Sequence, residues 1–182
     1  MTGQPVQVVA AGGLFNGNSL AAALMLGASG VWIGTRFILA DEAGAPVAHQ
    51  EAVRTAGFED NVRTIIFTVS SHAECKSGYG QANMYQGRPM RVRMNAYIQN
   101  WEENRREEMK ELTSKGIIPV EHDFENLGDD VDDETLDNAR PYLMGKVSAV
   151  VSEKKPAKAI VDEIVSDAAA LLKMGNRMVA KL

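Results

Sequence analysis

The stretch that most constrains this chain is Val6 to Phe37, VQVVAAGGLFNGNSLAAALMLGASGVWIGTRF, in which two short apolar runs each end at glycine. Val6, Val8, Val9 and Ala10 lead into Gly12-Gly13, and Val31-Trp32-Ile33 leads into Gly34-Thr35-Arg36. Such runs suit buried parallel strands that stop where the backbone must pass close to a ligand. Between them, Gly17 to Leu26 reads as a helix capped by Asn16 or Asn18 and closed by Gly27. The strand–helix–strand length fits one right-handed crossover, which sets both glycine turns side by side at one end of a parallel sheet. Adjacent turns with bare N–H groups form an anion cradle. A single Gly-Gly pair is also an ordinary tight connection; a second turn at one crossover's spacing, carrying Thr35, favours the cradle. Arg36 reads as a structural partner and not as a ligand.

The segment AAGGLFNGNSLAAALMLGASGVWIGTRF resembles the late-barrel segment of the nitronate monooxygenase family, FMN-dependent β/α barrels formerly called 2-nitropropane dioxygenases. GRPMRVRMNAYIQNWEENRREEMKELTSKGIIPVEHD resembles the C-terminal region of its fungal-type members. The resemblance implies an α/β fold: the C-terminal portion of an FMN-binding TIM-type (β/α)8 barrel plus a helical C-terminal region, the barrel being incomplete in this chain. In that family the two turns hold the FMN phosphate through backbone amides and the threonine hydroxyl. Carried over residue by residue, this points to Ala11, Gly12, Gly13, Gly34 and Thr35. Ile33 stands where many members have Met, a change that a backbone contact tolerates.

The implied reaction is oxidation of an alkyl nitronate by O2 to a carbonyl compound and nitrite, with nitronate and O2 as the small-molecule partners. The family's catalytic histidine sits in a Gly-Gly-His turn, and none of His49, His72 and His122 lies in one. No catalytic residue is therefore assigned, and the chain is expected to be an inactive fragment. Related FMN barrels, enoyl-acyl-carrier-protein reductases among them, carry similar turns, so an enoyl reductase-type oxidoreductase is the alternative. A non-enzymatic helical binding module is the third reading.

Length sharpens this expectation. The chain has 182 residues and opens almost at the strand read as the seventh, whereas a complete barrel takes about 250 residues. The N-terminal portion is thus expected to be missing, leaving open strand edges. Residues 1–68 read as the last two strand–helix units with the cradle, 69–86 as an insertion, and 87–182 as a mainly helical region. Val69 to Gln86 interrupts the family pattern with polar, aperiodic sequence. A loop is one reading. The sharper one is an intron translated in frame, with Val69-Ser70 compatible with a donor-like start, Ala82-Asn83 with a branch-point-like element and Tyr85-Gln86 with an acceptor-like end. His72 and Cys75 fall inside it and are given no chemistry.

The net charge of −5 argues against a nucleic-acid surface, and Arg88, Arg91 and Arg93 read as salt-bridge partners. The single cysteine excludes an internal disulfide. No apolar run is long enough to span a bilayer, so no membrane partner is expected. The terminal Ala180-Lys181-Leu182 is close to the peroxisomal Ser-Lys-Leu address, which leaves peroxisome or cytoplasm. The acidic run 128–134 lacks the glycine and glutamate spacing of a calcium loop, and no metal site is read.

Elsewhere, helices are expected over Asp41 to Gly57, Asn95 to Lys115 and Glu134 to Tyr142, and a short strand over Asn61 to Thr68. In the second helix Ile98, Trp101, Met109 and Leu112 mark the buried side, and Glu102–Arg106 and Glu111–Lys115 form pairs. Pro119 is expected to keep the chain extended. A final helix opens at Pro156 and runs to Gly175, its stripe of Ile160, Val161, Ile164, Val165, Ala168, Leu171 and Leu172 reading as core or subunit interface. That stripe keeps a homo-oligomer open.

Overall fold

A computed structural model describes residues 3, 5–68, 88–127 and 132–179. The expected intron segment, with His72 and Cys75, and the terminal tripeptide lie outside the described residues. Two compact units emerge, one from residues 1–58 and 144–182, the other from 59–143. Each draws residues from both sides of 69–86.

In the first unit, β1 (Val9–Ala11) and β2 (Gly30–Trp32) pair in parallel with the register Val9↔Gly30, Ala10↔Val31, Ala11↔Trp32. The connecting helix α1 (Gly17–Met25) starts at Asn16, whose side chain accepts from the Ser19 N–H while Ser19 Oγ accepts from the Asn16 N–H. Gly27 follows the helix at φ +96°, the left-handed conformation that ends helices. The strands are shorter than the apolar runs and are not buried. Val8 and Val9 are each 55% exposed and Trp32 74%; among the described residues the sheet holds two strands, which leaves these side chains uncovered.

Helix α2 (Thr35–Ile38) leads to α3, which spans only Val47–Arg54 and not the expected 41–57. Gly44 and Pro46 hold the chain out of helix before it, leaving Val47 exposed while Val53 is fully buried. A 3-10 turn, Lys146–Val150, had no periodic signal in the sequence. The last helix, labelled α8 (Ala157–Val179), continues past Gly175. Only Ile160, Ile164 and Ala168 of its stripe are buried; Val161 and Val165 are exposed.

Helices α1 and α8 cross at close range. A Cβ built on Gly17 would lie 2.4 Å from Asp167 Cβ and 2.7 Å from the Ala168 nitrogen. Ile160 and Ile164 then pack with Ala40, Leu20, Ile33 and Phe37. The segment before α8 is strapped to the first half of the chain. Arg36 Nη1 donates to the Glu153 carbonyl at 2.8 Å, Lys154 Nζ to Gln50 Oε1 at 2.6 Å, and the Ala157 N–H to Glu42 Oε2 at 2.7 Å. The last bond satisfies one of the orphan donors at the start of α8.

The second unit is built on an antiparallel pair, β3 (Asn61–Thr64) and β4 (Met90–Arg93), with Val62 opposite Val92. The expected helix over 95–115 divides into α4 (Ala96–Glu103) and α5 (Arg106–Ser114), which puts Glu102 and Arg106 on different helices. Ile98, Trp101, Met109 and Leu112 are nevertheless all buried, as their spacing predicts. Gly116 closes α5 at φ +77°, and Pro119 opens α6 (Pro119–Leu127) in place of the expected extended segment, because its fixed φ suits a first helical turn. Helix α7 (Asp133–Asn138) is capped by Asp132, which accepts from the Thr135 N–H, and stops before Pro141.

The break between α4 and α5 has a cause in α6. Arg105 turns inward, donating through Nη1 and Nη2 to Asp123 at 2.9 Å each, and its guanidinium lies 3.5 Å from the centroid of the Trp101 ring. Asp123 also accepts from Tyr97 Oη at 2.8 Å and Trp101 Nε1 at 3.0 Å. Burial first, then its bond to Asp123, raises the Tyr97 phenol above its ordinary pKa, while the Glu108 and Asp123 carboxylates raise that of Arg105.

Three outcomes follow from these contacts. Gly17→Ala, which on helix propensity alone would stabilise α1, is expected to cost about 1–3 kcal/mol by overpacking; urea unfolding of the variant measures it, and an unchanged midpoint would refute the close crossing. Asp123→Ala is expected to cost about 3 kcal/mol by leaving Arg105, Tyr97 and Trp101 short of an acceptor. The raised Tyr97 pKa means that the folded state holds the proton more tightly. Its contribution is complete below pH 10, the ordinary phenol value, and is lost as pH rises further. Denaturant midpoints at pH 9 and pH 11 should therefore differ less in Tyr97→Phe than in the parent chain.

Candidate functional site

The site is built where β1 and β2 stop. The register pairs Ala11 with Trp32, so both following turns leave from the C-terminal end of the strand pair. In open α/β sheets this is the end where ligands bind. Of the residues expected there, Gly12 and Gly13 take φ +81° and +77° in succession, a conformation that side chains disfavour. A Cβ on either would meet nothing within 4 Å. Glycine is thus required by the backbone, and the space above it is open. Phe15 and Asn16 both donate backbone N–H groups to Ser19 Oγ, at 3.0 and 3.1 Å, which ties the exit of this turn to the start of α1.

Gly34 differs. Its φ of −105° is open to any residue, and a Cβ there would also meet empty space. Among the described residues, neither the Gly13 nor the Gly34 N–H has an acceptor. Thr35 is half-buried, and its Oγ1 accepts from the Gly145 N–H at 2.9 Å. A hydroxyl has one proton and two lone pairs, so this bond leaves the Thr35 proton to donate. The structure thus brings Ala11, Gly12, Gly13, Gly34 and Thr35 to one end of the strand pair, all exposed or half-exposed. Arg36 is buried and committed to the Glu153 carbonyl, a structural partner as its sequence context suggests.

The resulting donor set is backbone N–H groups and one hydroxyl, with no cationic side chain among the five residues. Such a set suits a phosphate monoester approached by close backbone contact. The hollows nearby offer less. Those flanking α1 are lined almost wholly by apolar side chains, with Asn18, Ser19 and Asn176 as the polar exceptions. His49 is half-buried on α3; His122 on α6 faces Asn126 Nδ2 at 3.2 Å. Neither belongs to the cradle's donor set. Among the described residues no cluster of three or more His, Cys, Asp or Glu side chains is placed to hold a metal ion, and no helix is long and apolar enough to cross a membrane.

Sequence reading missed Gly145. It lies 110 positions from Thr35 in the chain, and nothing in its neighbours Met144 and Lys146 signals the contact.

A family model described as nitronate monooxygenase matches residues 4–167. Nitronate monooxygenase npaC of Metarhizium robertsii is 44% identical over 64 residues, 34% of this chain and 18% of that protein. A (3aS,4S,5R,7aS)-5-hydroxy-7a-methyl-1-oxo-octahydro-1H-indene-4-carboxyl-CoA dehydrogenase of Mycobacterium tuberculosis is also 44% identical over 64 residues, 35% of this chain and 18% of that protein. The structure of FabK from Thermotoga maritima superposes with a TM-score of 0.63 at 22% identity, covering 96% of this chain and 48% of that one. The chain therefore spans about half the length of that structure, and its matched stretches span about a fifth of the curated relatives. The fold is a partial β/α barrel with an unclosed sheet, and the chain belongs to the nitronate monooxygenase family.

Proposed function

We propose that this chain supplies the phosphate-holding turns of an FMN-dependent oxidoreductase. The observation that carries this reading is the pair of left-handed glycines, Gly12 and Gly13, set beside Gly34 and Thr35 at one end of a parallel strand pair. When bound, FMN would supply the electron-transfer chemistry that protein side chains lack. The chain's own residues hold its anionic end. Gly12 and Gly13 let the backbone approach a phosphate oxygen, the Gly13 and Gly34 N–H groups donate, and the Thr35 hydroxyl adds a donor with a fixed position. Ala11 places the first turn by pairing with Trp32. Phosphate binding of this kind orients the flavin and leaves the reaction to residues around its ring.

Oxidation of alkyl nitronates by O2, giving a carbonyl compound and nitrite, is the specific reaction that the family name suggests. The comparisons favour a broader statement, because stretches of equal length and identity are shared with a protein named a monooxygenase and with one named a CoA-ester dehydrogenase. The second reading is thus a reductase- or dehydrogenase-type FMN oxidoreductase on the same cradle. Nitrite release from ethyl nitronate distinguishes the first; flavin reduction by a nicotinamide or a CoA-ester substrate distinguishes the second.

Flavin titration tests the shared core of both. The chain should bind FMN about tenfold or more tightly than riboflavin, which lacks the phosphate. Gly13→Val, forcing a branched side chain into φ +77°, should remove most of that preference. Equal affinity for the two flavins would refute the reading.

A further inference from the structure

The contact between Gly145 and Thr35 joins two parts of the first unit that are far apart in sequence, and its geometry is restrictive. Gly145 has φ −89° and ψ 170°, extended backbone that any residue adopts. Glycine is therefore not required there by conformation. Space favours it instead, since a Cβ at position 145 would sit 3.2 Å from Thr35 Oγ1, close enough to push that hydroxyl by a few tenths of an ångström, and 3.7 Å from Val147 Cγ2, an ordinary contact. The Gly145 N–H meanwhile donates to Thr35 Oγ1 at 2.9 Å. Residue 145 is itself held from both sides. Its carbonyl accepts from the Ser148 N–H at 3.0 Å, and the next residue, Lys146, donates Nζ to the Phe58 carbonyl at 2.7 Å.

A threonine hydroxyl that accepts an N–H keeps its proton to donate, and polarisation along such a chain strengthens the outer bond. We propose that Gly145 is a positioning residue that sets the phosphate selectivity of the cradle. Its N–H occupies one lone pair of Thr35 Oγ1, and its bare Cα keeps that oxygen in place, so the Thr35 proton goes to an oxygen of the flavin phosphomonoester. This inference rests on the FMN reading above. It adds a residue outside both glycine turns whose effect on the ligand passes wholly through Thr35.

The test is a set of flavin affinities measured on the full chain by fluorescence quenching, for FMN and for riboflavin. Gly145→Ala and Thr35→Val should each lower the preference for FMN over riboflavin by about tenfold while leaving riboflavin affinity unchanged. Thr35→Ser should retain the preference, and the double variant Gly145→Ala/Thr35→Val should be no worse than Thr35→Val alone, because the two residues act as one unit. A purely structural role would weaken both flavins together. That result, additive single effects, or an unchanged preference in Gly145→Ala would overturn the proposal. A parent chain with no preference for FMN would overturn the FMN reading instead, before any variant is made. The 15N-labelled parent chain gives a second readout independent of variant folding: the Gly145 amide resonance should move on adding FMN and stay fixed on adding riboflavin. An unmoved resonance with FMN bound would overturn the proposal.

Discussion

The first unit depends on how closely α1 approaches α8. Gly17 leaves no side chain between the start of α1 and the backbone at Asp167–Ala168, so the two helices meet at a distance that any larger residue would prevent. That approach buries Ala21 and Ala23 of α1 and Ala168 of α8, and it sets Ile160 and Ile164 against Leu20, Ile33 and Phe37. Ile33 and Phe37 bracket the turn that follows β2. A two-stranded parallel sheet has little stability of its own; here the helix crossing and the strap from residues 153–157 to residues 36–50 hold it in place. The position of the cradle follows from that packing, since Gly34 and Thr35 are fixed between β2 and the buried Arg36.

The cradle itself is assembled from three kinds of constraint. Backbone conformation demands glycine at positions 12 and 13, where φ is left-handed. Open space surrounds it at 34, and a close contact with a neighbouring hydroxyl favours it at 145. The same residue type thus does three different jobs within one site. The strands behind it are unusual for a parallel sheet. Val6, at 89%, is among the most exposed apolar residues, and the open faces of β1 and β2 are apolar. Parallel strands of complete barrels are covered on both sides, and this difference belongs to a chain that spans about half of the FabK structure with which it superposes.

Much of this was legible in the sequence where the signal was local. The capping Asn16, the closing Gly27 and Gly116, and the apolar spacing of Ile98, Trp101, Met109 and Leu112 each act within a few residues of themselves, and the structure places them as read. The parallel pairing of the two runs was legible because a crossover of that length has one common geometry. The misreadings are partly local, as at Pro119, which opens a helix in place of an extended segment, and partly long-range. Helical periodicity through 95–115 carries no sign that Arg105 will leave the helix for Asp123, 18 residues on, nor that Asp123 will also gather Tyr97 and Trp101. The apolar runs by themselves read as buried strands, while the shortness of the chain implied open strand edges; the exposure of Val8, Val9 and Trp32 follows the second reading. Gly145 could not be found at all, because its significance lies in an oxygen 110 positions away.

The central claim is that the two glycine turns act together on one phosphate. Amide hydrogen exchange measures it directly, comparing the chain alone, with FMN and with riboflavin. The account predicts that FMN slows exchange at the amides of residues 12–13 and 34–35 together, and that riboflavin at equal saturation does not. Protection at only one turn, or equal protection by both flavins, would contradict it.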